Sequence, residues 1–507
     1  MANPLFDRLF GGHADRREPF LHLPGGSPVS YADFLALSAR FAQALEAAGL
    51  TTGDRLAAQV FKSPEALALY AACVRTGVIF LPLNTAYTDA ELDYFIRDSG
   101  ARLVVCDPGR AEGLRPMAEV LDAKLMTLDA HGGGTLPDAA ATLPDSQDPV
   151  PRLGSDLAAF LYTSGTTGRS KGAMLTQDNL LSNALVLADL WRFTADDVLL
   201  HALPIFHTHG LFVATNITLA TCGSMIFLPG FDRDAVIAEI PRATAMMGVP
   251  TFYTRLLDDA RFDRALTAHM RLFVSGSAPM LAETHARFTD RTGHRILERY
   301  GMTETNMNTS NPYDGERRAG TVGHPLPGVE LKITDPETGA EVPPGQVGQI
   351  EVRGPNVFAG YWQMPEKTAA ELRPDGFFIT GDLGQMDADG YVSIVGRGKD
   401  LIISGGYNIY PKEIEAVLDD QPGVLESAVI GVPHPDFGET PVGLLVPEPD
   451  RMPDLAQIGA AVADRLARYK HPRDLILVDA LPRNTMGKVQ KNALRDRFRA
   501  RFVETDG

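Results

Sequence analysis

Excess positive charge, long apolar runs and a cysteine framework are all missing from this sequence. Lys and Arg total 47 against 64 Asp and Glu, a formal net charge of −17. That balance excludes the broad basic surface on which nucleic-acid or anionic-membrane binding depends. No apolar stretch approaches the roughly 18 residues of a membrane span, and mean hydropathy is −0.07. The N-terminal segment MANPLFDRLFGGHADRREPF has no long apolar core and carries Asp7 and Asp15, which argues against a secretory or organelle-targeting peptide. Cys73, Cys106 and Cys222 are few, odd in number and far apart. They exclude a disulfide frame and a Cys-based zinc site, and predict reduced thiols in a cytoplasmic protein. In so acidic a chain an anionic ligand needs local cations, so individual Lys and Arg residues carry weight.

What is present is a chain of 507 residues, 44% apolar, long enough for two or more cores. Residues 29–50 repeat apolar positions at helical spacing. RLAAQV, GVIFLPL, RLVVCD and LAAFLY are short apolar runs that read as buried strands, with helical stretches such as SPEALALYAACVRTG between them. This alternation predicts an α/β architecture with largely parallel sheets. Residues 129–155, rich in Gly, Pro and Asp, read as a surface connection. Residues 320–396 carry short strands with Gly- and Asp-containing turns and predict a β-rich subdomain. A smaller α+β unit begins near Lys399, with strands LIISGG, ESAVIGV and DLILVD, a helix opened by Pro411 and another around 454–468. The expected division is residues 1–398 and 399–507.

The segment YTSGTTGRSKG (162–172) follows the run LAAFLY. Its glycines let backbone N–H groups approach a phosphate, its hydroxyls add donors and Lys171 adds charge. A solvated surface turn would have the same composition. The spacing fits neither the Walker A loop nor the dinucleotide fingerprint. Six further segments follow: SGSAP (275–279), ERYGMTET (298–305), TGDLG (380–384), GRGKDLIISGGYNIYPKEIE (396–415), GVPHPDFGE (431–439) and PRNTMGKVQK (482–491). In this order, the set resembles the signatures of the acyl-adenylate-forming superfamily, which includes acyl-CoA synthetases, adenylation domains and luciferases. The resemblance covers nearly the whole chain.

What it implies is a two-step reaction. A carboxylate attacks the α-phosphate of ATP, and a thiol then displaces AMP. Two anions meet in the first step, so charge neutralisation and alignment dominate. By resemblance, ATP is held by Thr163, Ser164, Gly165, Thr166, Thr167, Gly168 and Lys171 at the β- and γ-phosphates, and by Thr303 at the α-phosphate. Ser277, Ala278, Pro279, Glu298, Tyr300, Gly301 and Met302 lie around the adenine, and Asp382 and Arg397 at the ribose. Glu304 and Thr166 are the implied Mg²⁺ ligands, a hard cation suited to one carboxylate plus phosphate oxygens. Catalytic roles fall to Lys488, between substrate carboxylate and α-phosphate, to Thr303, and to His207 in PIFHTHG, at a gate between acyl pocket and thiol tunnel. Lys399 matches the hinge about which the small domain turns to admit CoA. An exposed boundary lysine is the plain alternative for Lys399. Lys488 is also where a lysine acetyltransferase would act, by removing the charge.

The acid is read from the next segment. Asn306, Asn308, Thr309 and Ser310 suggest a small, polar substrate. Arg299 and Arg255 could hold a second carboxylate bidentately, together with His207 and Ser277. These features resemble malonyl-CoA synthetases, which implies malonate, ATP and CoA as substrates. Methylmalonate or another short acid remains open, since one methyl group is worth only about 1–3 kcal/mol. A carrier-protein adenylation module and a luciferase-like oxidoreductase remain as other classes. Either arginine could instead pair with a nearby acid such as Glu298.

Overall fold

The computed structural model describes residues 2–163, 170–278, 280–404, 407–434, 437–466, 468–484 and 487–502. Among them, four sheets organise the chain. The helix Tyr31–Ala47 starts where Ser30 accepts a hydrogen bond from the Asp33 amide, and buries Phe34, Leu35, Phe41 and Leu45. The helix Pro64–Thr76 has Ser63 as its N-cap and Pro64 in its first turn, and stops at Gly77 in left-handed conformation, as the residue preferences at helix ends require.

The four apolar runs become the strands Arg55–Gln59, Ile79–Pro82, Leu103–Cys106 and Leu157–Thr163 of a six-stranded sheet. Its pairs are parallel except the last, where Lys171–Thr176 returns antiparallel beside Leu157–Thr163. Residues 129–155 are not a bare connection. The short helix Thr135–Ala140 buries Leu136 and Ala140, a pair too small to show as helical periodicity in a Gly- and Pro-rich stretch.

A nine-stranded sheet runs beside the first. Its parallel strands Val198–His201, Ala245–Gly248, Leu272–Ser275 and Leu297–Met302 lie edge to edge, and ligands of open α/β sheets bind beyond the C-terminal ends of such strands. The β-rich region is an antiparallel four-stranded sheet from Glu330–Thr334 to Val392–Arg397. The C-terminal part, from Ile402 onward, builds its own sheet and two apolar clusters around Val429, Leu445, Ile430 and Leu444. The protein is thus a large N-terminal α/β domain with a β-rich subdomain and a small C-terminal α+β domain. No helix among the described residues is long and apolar enough to cross a membrane.

Candidate active site

Three structural pieces converge at the strand ends. The hairpin formed by Leu297–Met302 and Asn306–Ser310 turns at Thr303–Thr305. Gly301 is required there, because a Cβ would stand 1.9 Å from the Asn306 carbonyl oxygen. Neighbouring strand residues point to opposite faces, and this separates Glu298, Arg299 and Tyr300. Glu298 accepts from His285, 3.0 Å away, and its backbone carbonyl accepts from Asn311. Tyr300 donates to Asp382 at 2.5 Å. Asp382 is bound on its other oxygen by Arg397 at 2.6 Å, its cross-strand partner in the β-rich sheet. Tyr300, Asp382 and Arg397 thus form one buried polar unit joining two sheets.

Arg299 stands apart from these pairs. It is 4% exposed, and its Nε and Nη2 find no hydrogen-bond partner among the described residues. Burial pushes its pKa down to about 9. Pairing with Glu298, the alternative left open by the sequence, is absent because Glu298 is committed to His285. His207 lies near both Arg299 and Lys488; burial first, then those two cations, pull its pKa down to about 4. The imidazole is therefore neutral at physiological pH.

Glu304 is buried at the hairpin tip and accepts from the Tyr361 hydroxyl at 3.0 Å. Burial raises its pKa, against the pull of Tyr361, Arg397 and Lys171. Lys171 is 3.6 Å from Glu371 and lies 4.2 Å over the Tyr361 ring. Thr163 ends its strand directly opposite Lys171. Ser164, Gly165, Thr166, Thr167, Gly168 and Pro279 lie outside the described residues. Ala278 follows Ser277 in a bend after Leu272–Ser275, and Met302 and Thr303 lead into the hairpin turn.

Lys488 comes from the small domain. It sits on a turn where its amide donates to Asn484 Oδ1 at 2.9 Å, and the adjacent Gly487 approaches Thr251 of the large domain. Protein mass around its ammonium, then Arg397, lower its pKa, while Asp382, Asp400 and Glu304 oppose that shift. The residue is exposed. Its charge is felt both by His207 and at the Asp382–Arg397–Glu304 group. Lys399 lies in the tight turn Gly398–Asp400 between the two domains' sheets and is exposed there, as the plain alternative for a boundary lysine has it; the protein around it, then Arg397, Lys488 and Arg495, lower its pKa against the pull of Asp400.

Two residue expectations need correction. Arg255 does not join Arg299. The helix Pro250–Leu257 turns Pro250, Tyr253, Leu256 and Leu257 inward, which leaves Arg255 exposed beside Asp232, Asp234 and Asp258 in a surface depression. Helix phase, invisible in the bare segment, decides this. Thr309 and Ser310 are also spent elsewhere. Thr309 donates to the Val322 carbonyl at 2.7 Å, and Ser310 accepts from the Trp191 indole at 2.9 Å. Asn308 accepts from Asn356 at 3.0 Å, whereas both polar atoms of buried Asn306 are unpartnered. The sequence reading missed Tyr361, Glu371, His285 and His209; only His209, in FHTHG, had a motif to flag it.

With this geometry in place the chain can be compared with known proteins. The family model described as "AMP-binding enzyme" matches residues 11–362, and that of its C-terminal domain matches residues 413–488. The chain belongs to the AMP-binding enzyme family. It is 57% identical to MatB from Rhodopseudomonas palustris over 99% of this chain and 100% of that one, with a TM-score of 0.97 to the ATP-bound crystal structure and 0.86 to the apo structure. A feruloyl-CoA synthase of Amycolatopsis is 38% identical over 94% of this chain and 95% of the relative. A malonate–CoA ligase of Arabidopsis thaliana is 35% identical over 83% and 74%. This AMP-binding enzyme is accordingly an acyl-CoA ligase of the AMP-forming class, with ATP and CoA as co-substrates.

Proposed function

We propose that the acid is malonate, and that the enzyme forms malonyl-CoA through malonyl-AMP. One malonate carboxylate attacks the α-phosphorus of ATP and pyrophosphate leaves. The CoA thiol then attacks the acyl carbon and AMP leaves. The observation that carries the choice of acid is Arg299, a buried guanidinium with free donors and no acid paired with it among the described residues. A buried unpaired cation is costly, and the distal carboxylate of a short diacid would satisfy it. Relatives with very different acids in their names share 35–38% identity, so the pocket residues bear more weight than overall likeness. Feruloyl and other aromatic acids offer no such anion.

The assigned roles follow from position. The charge of Lys488 is felt at both the nucleotide and acyl ends, where carboxylate and α-phosphate meet. Asp382, with Tyr300 and Arg397 fixing its orientation, accepts the ribose hydroxyls. Lys171 and Thr163 flank the loop that would cradle the outer phosphates. His207, neutral and next to Arg299, borders the acyl group. Mg²⁺ fits the donor set: no cluster of three ligating side chains exists among the described residues, and the buried carboxylate of Glu304 shares the Tyr361 hydroxyl with Glu371, the acid that pairs with Lys171. Mg²⁺ often takes one carboxylate plus phosphate oxygens. It would be held by Glu304, and by Thr166, which lies outside the described residues, and would neutralise phosphate charge. Lys399 is the pivot between residues 1–398 and 399–507, and Lys488, exposed, is accessible to a lysine acetyltransferase. Free cysteines at 73, 106 and 222 favour a reducing compartment such as the cytoplasm.

The test is pyrophosphate release with ATP, CoA and a panel of short mono- and dicarboxylic acids. Malonate should have the highest kcat/KM. A monoacid of equal chain length that matches it would overturn the diacid assignment.

A further inference from the structure

Arg299 is not the only unpartnered buried donor here. His209 has no exposed surface, and among the described residues its Nε2 meets no hydrogen-bonding atom. Its Nδ1 lies 3.3 Å from Ser277 Oγ. The backbone is shaped for this contact. Ser277 adopts a left-handed φ of 70°, uncommon for a residue with a side chain and concentrated at functional sites. A Cβ on Gly276 would meet the Arg299 guanidinium carbon at 2.4 Å, so only glycine lets the guanidinium rest there. The bend at 276–277 thus sets Arg299 against one residue and His209 against the next. Burial, then the Arg299 charge, keeps the His209 ring neutral, and one of its nitrogens carries a single proton.

We propose that His209 is a second recognition residue for the distal carboxylate, donating from Nε2 beside Arg299. A hydroxyl can donate or accept, so Ser277 turns to donate to Nδ1 when the bound anion selects the Nε2–H tautomer. A guanidinium supplies charge, and a neutral imidazole adds a directed donor without a second buried cation. The proposal rests on the dicarboxylate reading above.

The experiment compares kcat/KM for malonate and for propionate, in which a methyl group replaces the distal carboxylate, in wild type, His209→Leu and His209→Gln. The wild type should prefer malonate. His209→Leu should lower the malonate-to-propionate ratio by about 10- to 100-fold while propionate activity, which needs no distal donor, persists and reports a folded site. The Gln amide can place an N–H near the lost Nε2–H, and should keep the ratio within about threefold of wild type. A wild type indifferent to the two acids overturns the dicarboxylate reading and this proposal with it. A wild-type preference that survives in His209→Leu overturns the role of His209 alone. Equal losses on both acids, or a Gln variant as impaired as Leu, would show that the ring acts through packing and would likewise overturn it.

Discussion

Lys488 and Arg299 are both cations crowded by protein, but their surroundings differ. Lys488 has Asp382, Asp400 and Glu304 near it and is exposed. Arg299 has no acid paired with it among the described residues. Replacing Lys488 with Ala should therefore cost adenylation on the order of 10²–10³ in rate, measured by ATP–pyrophosphate exchange, and should spare thioester formation from supplied malonyl-AMP. Normal exchange in the variant would remove Lys488 from the chemistry. Arg299→Met should do something less usual. It replaces a buried unpaired charge with an apolar chain of similar length, so the free protein should melt at a higher temperature, with a gain of about 1–4 kcal/mol, while malonate activity falls. A lower melting temperature would mean that Arg299 has a structural partner.

At the scale of elements, the wide helical turn His209–Thr215 begins at His209 and fixes its backbone. Its first carbonyl of note, Gly210 O, accepts from His201 Nε2 at 2.8 Å and Thr215 Oγ1 at 2.9 Å. Helices of this π type are rare and often mark functional sites. A Cβ on Gly210 would stand 2.1 Å from the Pro204 carbonyl oxygen, and backbone cannot step aside as a side chain can. Gly210→Ala should destabilise the protein by about 1–3 kcal/mol in thermal melts. It should also slow both acids through His207, and malonate more than propionate through His209. Equal losses on the two acids would separate this turn from recognition of the distal carboxylate.

At the scale of the molecule, the small domain presents Lys488 to the large one, and the overall likeness is greater to the ATP-bound relative than to its apo form. The second half-reaction requires CoA to reach the acyl carbon, so the proposed rotation about Lys399 should be breakable. Lys399→Pro restricts φ and removes a donor, and should let acyl-AMP form and accumulate while acyl-CoA production falls far more. Equal slowing of both steps would move the pivot elsewhere. Acid stability also belongs to the whole molecule. The folded protein holds His207 unprotonated down to about pH 4, and His13, His201 and His209 shift in the same direction. The unfolded chain binds these protons near pH 6.5, so it carries more protons than the folded state between about pH 6.5 and 4, and stability must fall as pH drops through that window. Urea midpoints that stay constant from pH 7 to 5 would contradict this.

Motif order, local periodicity and capping residues were enough to indicate the fold class, the positions of Asp382 and Lys488 in their motifs, and the buried strands of the first sheet. These depend on neighbours in the chain: Ser63 caps its helix by accepting from the Ala66 amide three residues on, and LAAFLY is a strand because all of it is apolar. The pairings at the site depend on residues far apart in the chain. His285 takes Glu298 and leaves Arg299 alone. Trp191 takes Ser310. One face of the helix Pro250–Leu257 turns Arg255 out to solvent. Whether a buried polar atom has a partner is a property of packing in three dimensions, and only the tertiary structure decided which arginine and which histidine were left free to meet a substrate.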